Sequence, residues 1–186
     1  MEETVRCGWA NKDSEREYHD NEWGVPSHDD SYMFEMLILE GFQAGLSWIT
    51  ILNKRENFRK AFDNFDYNKI KDYKQDKIDE LLKNDGIVKN KLKVNSTVEN
   101  AKAFIKVQEE FGSFDKYIWG FVNNKQIVNK WKDMKELPAK TELSDKISKD
   151  MKKRGFKFVG STIIYSYLQA VGIIDDHIVT CSFKKK

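Results

Sequence analysis

An all-α fold is expected from three observations: the apolar period is helical almost everywhere, Gly, Asn and Asp mark the stops, and only Gln126-Ile127-Val128 looks extended. With two prolines in 186 residues, little interrupts the helices. Met33, Met36, Leu37 and Glu40 fall on one face of a helix that Ser31 should cap and Gly41 should end. Ile78, Leu81 and Leu82 form a second stripe, opened by Asp76 and closed by Asn84-Asp85-Gly86. Val94, Val98, Ala101, Ile105 and Gln108 keep the same rhythm until Gly112. Between 125 and 143 the periodicity lapses and Leu137-Pro138 breaks any helix, so the seam between two helical lobes is expected there, within one domain spanning 1–186. Past the seam a helix led by Ser144 should end at Gly155. A tight apolar hairpin follows, then a helix from Ser161 with Ile164, Tyr165, Leu168 and Val171 on one side.

Composition bounds the function classes. A chain with 40% hydrophobic and 13% aromatic residues can bury a good core. No apolar run is long enough to span a bilayer, and Met-Glu-Glu-Thr-Val-Arg at the start lacks the apolar stretch of a signal peptide, so cytosolic residence without membrane contact is expected. A formal charge of +2 leaves any nucleic-acid binding to local basic clusters.

Cys7 and His19 near one end, with His177 and Cys181 near the other, make one complete tetrahedral set of zinc ligands. Two Cys and two His leave no position for a reactive water, so a metal here is expected to be structural, tying the two ends together. The alternative is two core cysteines and two hydrogen-bonded histidines. Economy favours metal, because the set uses both cysteines and two of the three histidines, and His28 is left in an exposed Ser-His-Asp-Asp loop. A reducing compartment agrees with it.

Two further features point to a ligand. In the stretch from Lys152 to Thr162 a helix, a hairpin and a helix follow one another. Backbone N–H groups at Gly160, Ser161 and Thr162, with the helix dipole and basic residues such as Lys153, suit a phosphate. The alternative is a helical corner with a solvated lysine run. Lys89, Lys91 and Lys93 form a weaker cluster, expected to be a solvated helix face. Glu40 places a carboxylate on an otherwise apolar helical face, and Trp9, Tyr18, Trp23, Phe42 and Trp48 crowd the first quarter of the chain. One buried acid among planar rings suits a flat cationic base, while a local cap or ion-pair role for Glu40 explains the pattern about as well.

The chain resembles the 3-methyladenine DNA glycosylase I family. The resemblance rests on Cys7-Gly8-Trp9, on Tyr18-His19-Asp20-Asn21-Glu22-Trp23-Gly24-Val25-Pro26 and on Phe34-Glu35-Met36. It extends through Leu39-Glu40-Gly41, Gln43-Ala44-Gly45-Leu46-Ser47-Trp48, Lys54-Arg55-Glu56-Asn57, Lys152 to Gly160 and Asp176-His177. These blocks occur in family order from residue 6 to 181. The resemblance implies a helix-hairpin-helix glycosylase with two helical lobes, a base-binding cleft between them and one structural zinc on Cys7, His19, His177 and Cys181. It implies a monomer that removes 3-methyladenine from double-stranded DNA by hydrolysing the N-glycosidic bond. In that reading the flipped base stacks against Trp48 and Tyr18, Trp9 and Trp23 wall the pocket, Glu40 bonds the base edge as the foremost acid, and Gly45-Leu46 probe the gap left in the duplex.

The sequence departs from the family pattern in one place. Glu15 stands where a second aromatic commonly precedes the Tyr of Tyr-His-Asp, in a segment one residue shorter than usual, so the pocket mouth and the tolerance for 3-methylguanine are expected to differ. Asp175 and Asp176 lie where related glycosylases place a cation-stabilising aspartate, but Asp176 is expected only to orient His177. Two other classes compete. A non-catalytic damage-binding module would use the same hairpin and pocket. A zinc hydrolase would need an open coordination position, which a closed Cys2His2 set denies it.

Overall fold

The computed structural model describes residues 4–185, so Met1 to Glu3 of the N-terminal reading lie outside it. The described chain is helical: α1 (Asp13–Asn21), α2 (Asp30–Gln43), α3 (Trp48–Ala61), α4 (Tyr67–Ile70), α5 (Gln75–Lys83), α6 (Lys91–Phe111) and α7 (Phe114–Gly120) precede the lapse in periodicity. Strand β1 (Ile127–Val128), α8 (Glu142–Lys153), α9 (Ser161–Ala170) and β2 (Ile174–Asp175) follow it. The extended segment at Ile127 pairs in parallel with β2, Ile127 opposite Ile174.

The helix limits are set by capping chemistry. Asp29, not Ser31, caps α2, its carboxylate accepting the Ser31 N–H at 3.0 Å. Gly41 does not end α2. It lies inside the helix facing Phe158, and the helix runs on to Gln43. Lys74 and Gln75 precede Asp76, which sits in the first turn of α5. Thr141 leads α8, and Ser144 is its partner three residues on, the two bonding reciprocally. Gly112 ends α6 at φ +90° and Gly155 turns the chain just past α8 at φ +93°, both as the sequence suggests.

Around α2 the core is wrapped on every side. Met33, Phe34, Met36, Leu37, Ile38 and Leu39 are all buried, because α3, α6, α7 and α9 pack about this helix. In α6 the buried stripe runs Val94, Val98, Ala101, Phe104 and Val107, while Ile105 stands at its margin, a drift of one position from the expected face. On α9 the expected Ile164, Tyr165 and Leu168 are buried, as is Val171 just beyond it, joined by Tyr167.

The start of the chain lies across the end of α9. Gly24 N–H donates to the Gln169 carbonyl at 2.9 Å and Ser27 N–H to the Val171 carbonyl at 3.0 Å. The Gln126 amide bridges the Gly24 and Gly172 carbonyls, both at 2.8 Å. Gly172, at φ +72°, is where the backbones touch, since a Cβ there would lie 2.1 Å from the Val25 carbonyl. Gly172→Ala must therefore open this contact and strain the backbone, and should cost about 3 kcal/mol or more in denaturant unfolding. A loss below about 0.5 kcal/mol would show that the contact yields freely.

Candidate active site

The last turn of α2, the start of α3, the N-terminal segment, α9 and the segment after β1 enclose a cavity of 270 Å³. Trp9, Tyr18, Trp23, Glu40 and Trp48 all line it, so the structure brings together the acid and four of the five rings grouped with it in the sequence. Phe42 is not among them. It turns from the cavity and packs on Phe58 and Phe62, with ring centroids at 4.8 and 6.0 Å. Tyr18 and Trp48 meet at 5.2 Å with their planes tilted by 54°, so they form a corner instead of a parallel slot. A planar ligand lying flat on one ring meets the other at that tilt. Trp9 and Trp23 cross edge to face at 5.1 Å.

Glu40 is 3% exposed, and its Oε2 has no partner among the described residues. Burial alone pushes its carboxyl from an ordinary 4.5 up to about 8. The Tyr18 hydroxyl is held well above its usual range, first by burial and then by the nearby Glu40 charge. The pocket is therefore a low-dielectric space with an acid that gains from a cation or a donor placed beside it. Behind Tyr18, buried Arg55 grips both oxygens of Glu22 at 2.8 and 2.9 Å and Glu35 at 2.7 Å, fastening the N-terminal segment to α2 and α3.

The turn between α2 and α3 carries Gly45, at φ +77°, and Leu46, which is 42% exposed beside the cavity residues Gln43, Ser47 and Trp48. Lys93 holds this turn. The residue is 7% exposed, and its ammonium donates to the Phe42 carbonyl at 2.9 Å and the Ala44 carbonyl at 2.6 Å, at the negative end of the α2 dipole. This corrects the expectation that Lys89, Lys91 and Lys93 form one solvated face. The charge pattern gives no means of telling a buried lysine from its exposed neighbours.

At the hairpin, Phe156 and Val159 turn inward and Asn100 of α6 bonds both the N–H and the carbonyl of Lys157, at 2.7 and 3.1 Å. Lys153 and Thr162 are exposed, Gly160 takes the cap position of α9, and the Ser161 hydroxyl pairs with Ser144 at 2.8 Å. Arg154 does not contribute charge to that surface. It is paired with Glu110 at 2.7 Å and Asp150 at 2.8 Å and lies over the rings of Phe111 and Tyr117.

At the joined ends of the chain, donor atoms of Cys7, His19 and Cys181 lie within 4.8 Å of one another, all buried. The His177 ring crosses His19 at 4.7 Å, and its Nε2 is buried without a partner among the described residues. Each imidazole gives Nδ1 to a carboxylate, His19 to Asp20 at 2.7 Å and His177 to Asp175 at 2.8 Å; His19 Nε2 then lies 3.6 Å from Cys181 Sγ, whereas His177 stands outside the converging group of three. Asp175, not Asp176, therefore orients His177. Burial pushes the Cys7 thiol up to about 12, with Cys181 adding to the rise, and lowers the His19 imidazole more than its bond to Asp20 raises it. Two soft sulfurs and an imidazole nitrogen are donor types that a tetrahedral zinc takes, and three of the four residues expected from the sequence come together here. Trp9 leans on His19 and Trp23 on His177, at 5.3 and 4.7 Å, so this cluster backs two walls of the cavity.

Several cavity residues escaped the sequence reading. Gln43, Met134, Leu137, Ser166 and Gln169 line it from three separate regions, and Glu15 stands at its edge with Oε2 occupied by the N–H groups of Asn11 and Lys12. The supposed seam is thus partly a pocket wall.

Comparison with known proteins places the chain among relatives of closely similar sequence and fold. DNA-3-methyladenine glycosylase 1 of Escherichia coli K12 is 45% identical over 177 residues, covering 95% of each chain. A crystal structure of a 3-methyladenine DNA glycosylase I superposes with a TM-score of 0.93 at 42% identity, over 96% of this chain and 98% of that one. The Staphylococcus aureus 3-methyladenine DNA glycosylase I, studied for its recognition of 3-methyladenine, superposes at 0.94 with 35% identity, over 97% of each chain. Residues 9–185 match the methyladenine glycosylase family, and the chain belongs to it.

Proposed function

We propose that this chain is a monofunctional DNA glycosylase of base-excision repair, which hydrolyses the N-glycosidic bond of 3-methyladenine in double-stranded DNA and leaves an abasic site. It is proposed to act as a monomer in the cytosol. Among its described residues no helix is long and apolar enough to cross a membrane. The observation that carries the reading is the buried, unpartnered Glu40 carboxyl inside an aromatic cavity, in a chain of this family.

Methylation at N3 places a positive charge on the base, so the leaving group is activated before it meets the protein. The nucleotide swings out of the stack into the cavity, where Trp48 or Tyr18 receives its face and Glu40 its edge. Near neutral pH the empty pocket favours the protonated Glu40, and a cationic base restores the carboxylate by direct attraction. The C1′–N9 bond breaks with its electron pair going to the base, which leaves neutral. Water adds to C1′ and loses its proton to solvent. Asp176 cannot serve as the base for that water, since its two oxygens already accept four hydrogen bonds. Leu46 on its turn would fill the gap in the duplex, offsetting part of the unstacking cost. The N–H groups at Gly160, Ser161 and Thr162, with Lys153, would hold a backbone phosphate in the helix-hairpin-helix manner.

Cys7, His19, His177 and Cys181 would hold one zinc ion. Bound there, zinc supplies a structural crosslink between the chain ends and no open position for chemistry. What these residues do themselves is brace Trp9 and Trp23.

Incubation with methylated duplex DNA should release free 3-methyladenine without 7-methylguanine, measured by chromatography. Glu40→Gln should slow that release by about tenfold or more, the scale of a hydrogen bond to a charged group. Because burial raises the Glu40 pKa, the native chain holds a proton the unfolded chain has lost, so stability falls as pH climbs from 4.5 to about 8. Glu40→Gln should flatten that decline, which urea titrations across this range would read out; no released base, or an unchanged rate in the variant, would overturn the reading. Cys181→Ala should lower zinc content and the melting temperature while the folded fraction keeps its activity, and a stable protein with abolished chemistry would contradict a structural metal. Lys153→Ala should weaken DNA binding modestly and reduce the slope of log affinity against log salt by about 1. An unaltered slope would make Lys153 a bystander.

A further inference from the structure

The wall contributed by α9 holds a polar group with a defined orientation. Asp176 is fully buried, and its Oδ1 accepts Asn129 Nδ2 and Trp131 Nε1, each at 2.7 Å. Its Oδ2 accepts the Tyr165 hydroxyl and Gln169 Nε2, the latter at 2.8 Å. A carboxylate bonded by three other donors can only accept from the fourth, so the Gln169 amide must present its NH2 group to Asp176. Oε1 of the same planar amide then faces elsewhere. That oxygen has no hydrogen-bond partner among the described residues, yet it is not one of the sealed, unpaired buried atoms, and Gln169 lines the cavity. The amide oxygen is therefore an available acceptor at the pocket wall. Glu40 lines the same cavity, so the site offers two acceptors to a bound base.

The chemistry of the base gives this arrangement a consequence. On a 3-methyladenine nucleotide the 6-amino group is the hydrogen-bond donor of the ring system, and it carries two hydrogens. Guanine has a carbonyl oxygen at the same position. An acceptor aimed there gains a bond with adenine, whereas with guanine it faces another acceptor and both stay unpaired.

We propose that Gln169, its amide oriented by Asp176, is a specificity-determining residue whose Oε1 accepts from the 6-amino group of flipped 3-methyladenine and disfavours 3-methylguanine. Asp176 is the positioning residue. It acts through Gln169 and through Asn129 and Trp131, which bring the segment bearing Met134 and Leu137 over the cavity. The inference rests on the glycosylase reading and adds to it the basis for selection between two cationic purines.

The test is release of both bases from methylated duplex DNA by the zinc-loaded full chain, unsubstituted and as Gln169→Met. Methionine keeps the length of the side chain and removes the acceptor. The backbone carbonyl that receives Gly24 N–H is untouched, and the melting temperature of each protein is recorded. Release of 3-methyladenine should slow by about tenfold while that of 3-methylguanine changes little, so the ratio of the two rates falls by about the same factor. Asp176→Asn, which leaves the amide free to turn, should lower the ratio in the same direction. Because loss of folding slows both bases alike, the ratio read on the folded fraction keeps the test decisive if this second variant is unstable. Equal slowing of both bases by Gln169→Met, or an unchanged ratio, would overturn the specificity role. An unsubstituted chain that releases no 3-methyladenine would overturn the glycosylase reading and this inference with it.

Discussion

The closure of the N-terminal segment against the end of α9 and the C-terminal turn is the contact on which the site depends. Val5 and Ser182 exchange two hydrogen bonds, Gly24 and Ser27 donate to carbonyls at the end of α9, and Gly172 allows the two backbones to meet. Trp9, Tyr18 and Trp23 reach the cavity from the segment thus held, while Ser166 and Gln169 reach it from α9. Terminal segments ordinarily fray, since few contacts offset their conformational entropy. Here the buried group of Cys7, His19 and Cys181 lies at the junction, with the His177 ring packed against His19.

The cavity combines costs that a core would avoid. A carboxyl without a partner, sealed among aromatic rings, carries a desolvation penalty of about 1–3 kcal/mol. The fold tolerates it because the buried faces of α3, α6, α7 and α9 pack around α2, and because Arg55 ties Glu22 and Glu35 into a satisfied network next door. Placing one unsatisfied acid beside one saturated ion cluster makes the pocket respond to the charge of its ligand without loosening its wall.

Asp175 and Asp176 are adjacent in sequence and separate in role. Asp175 bonds the His177 ring and also meets Lys184, whereas Asp176 gathers four donors from α9 and from the segment after β1. Successive residues of an extended backbone point to opposite sides, and β2 ends between these two. The end of β2 thereby braces the cysteine–histidine group and the aromatic cavity together.

Helix identity was legible in the sequence because it depends on local apolar spacing and on Gly and Asn stops, and the gathering of Cys7, His19 and Cys181 was legible because cysteine and histidine are scarce here. Glu40 and the tryptophans were legible as a pattern of one acid among planar rings. Exact caps at Asp29 and Thr141 were not, since several polar residues near each start could serve. The burial of Lys93, the pairing of Arg154 with Glu110 and the turning of Phe42 away from the pocket were decided by the tertiary structure. So were the divided roles of the two aspartates and the presence of Gln169 beside Glu40. Each depends on which side chains from distant segments share a space, and a carboxylate, an amide or an ammonium reads the same in sequence whether its partner is solvent or a carbonyl half the chain away.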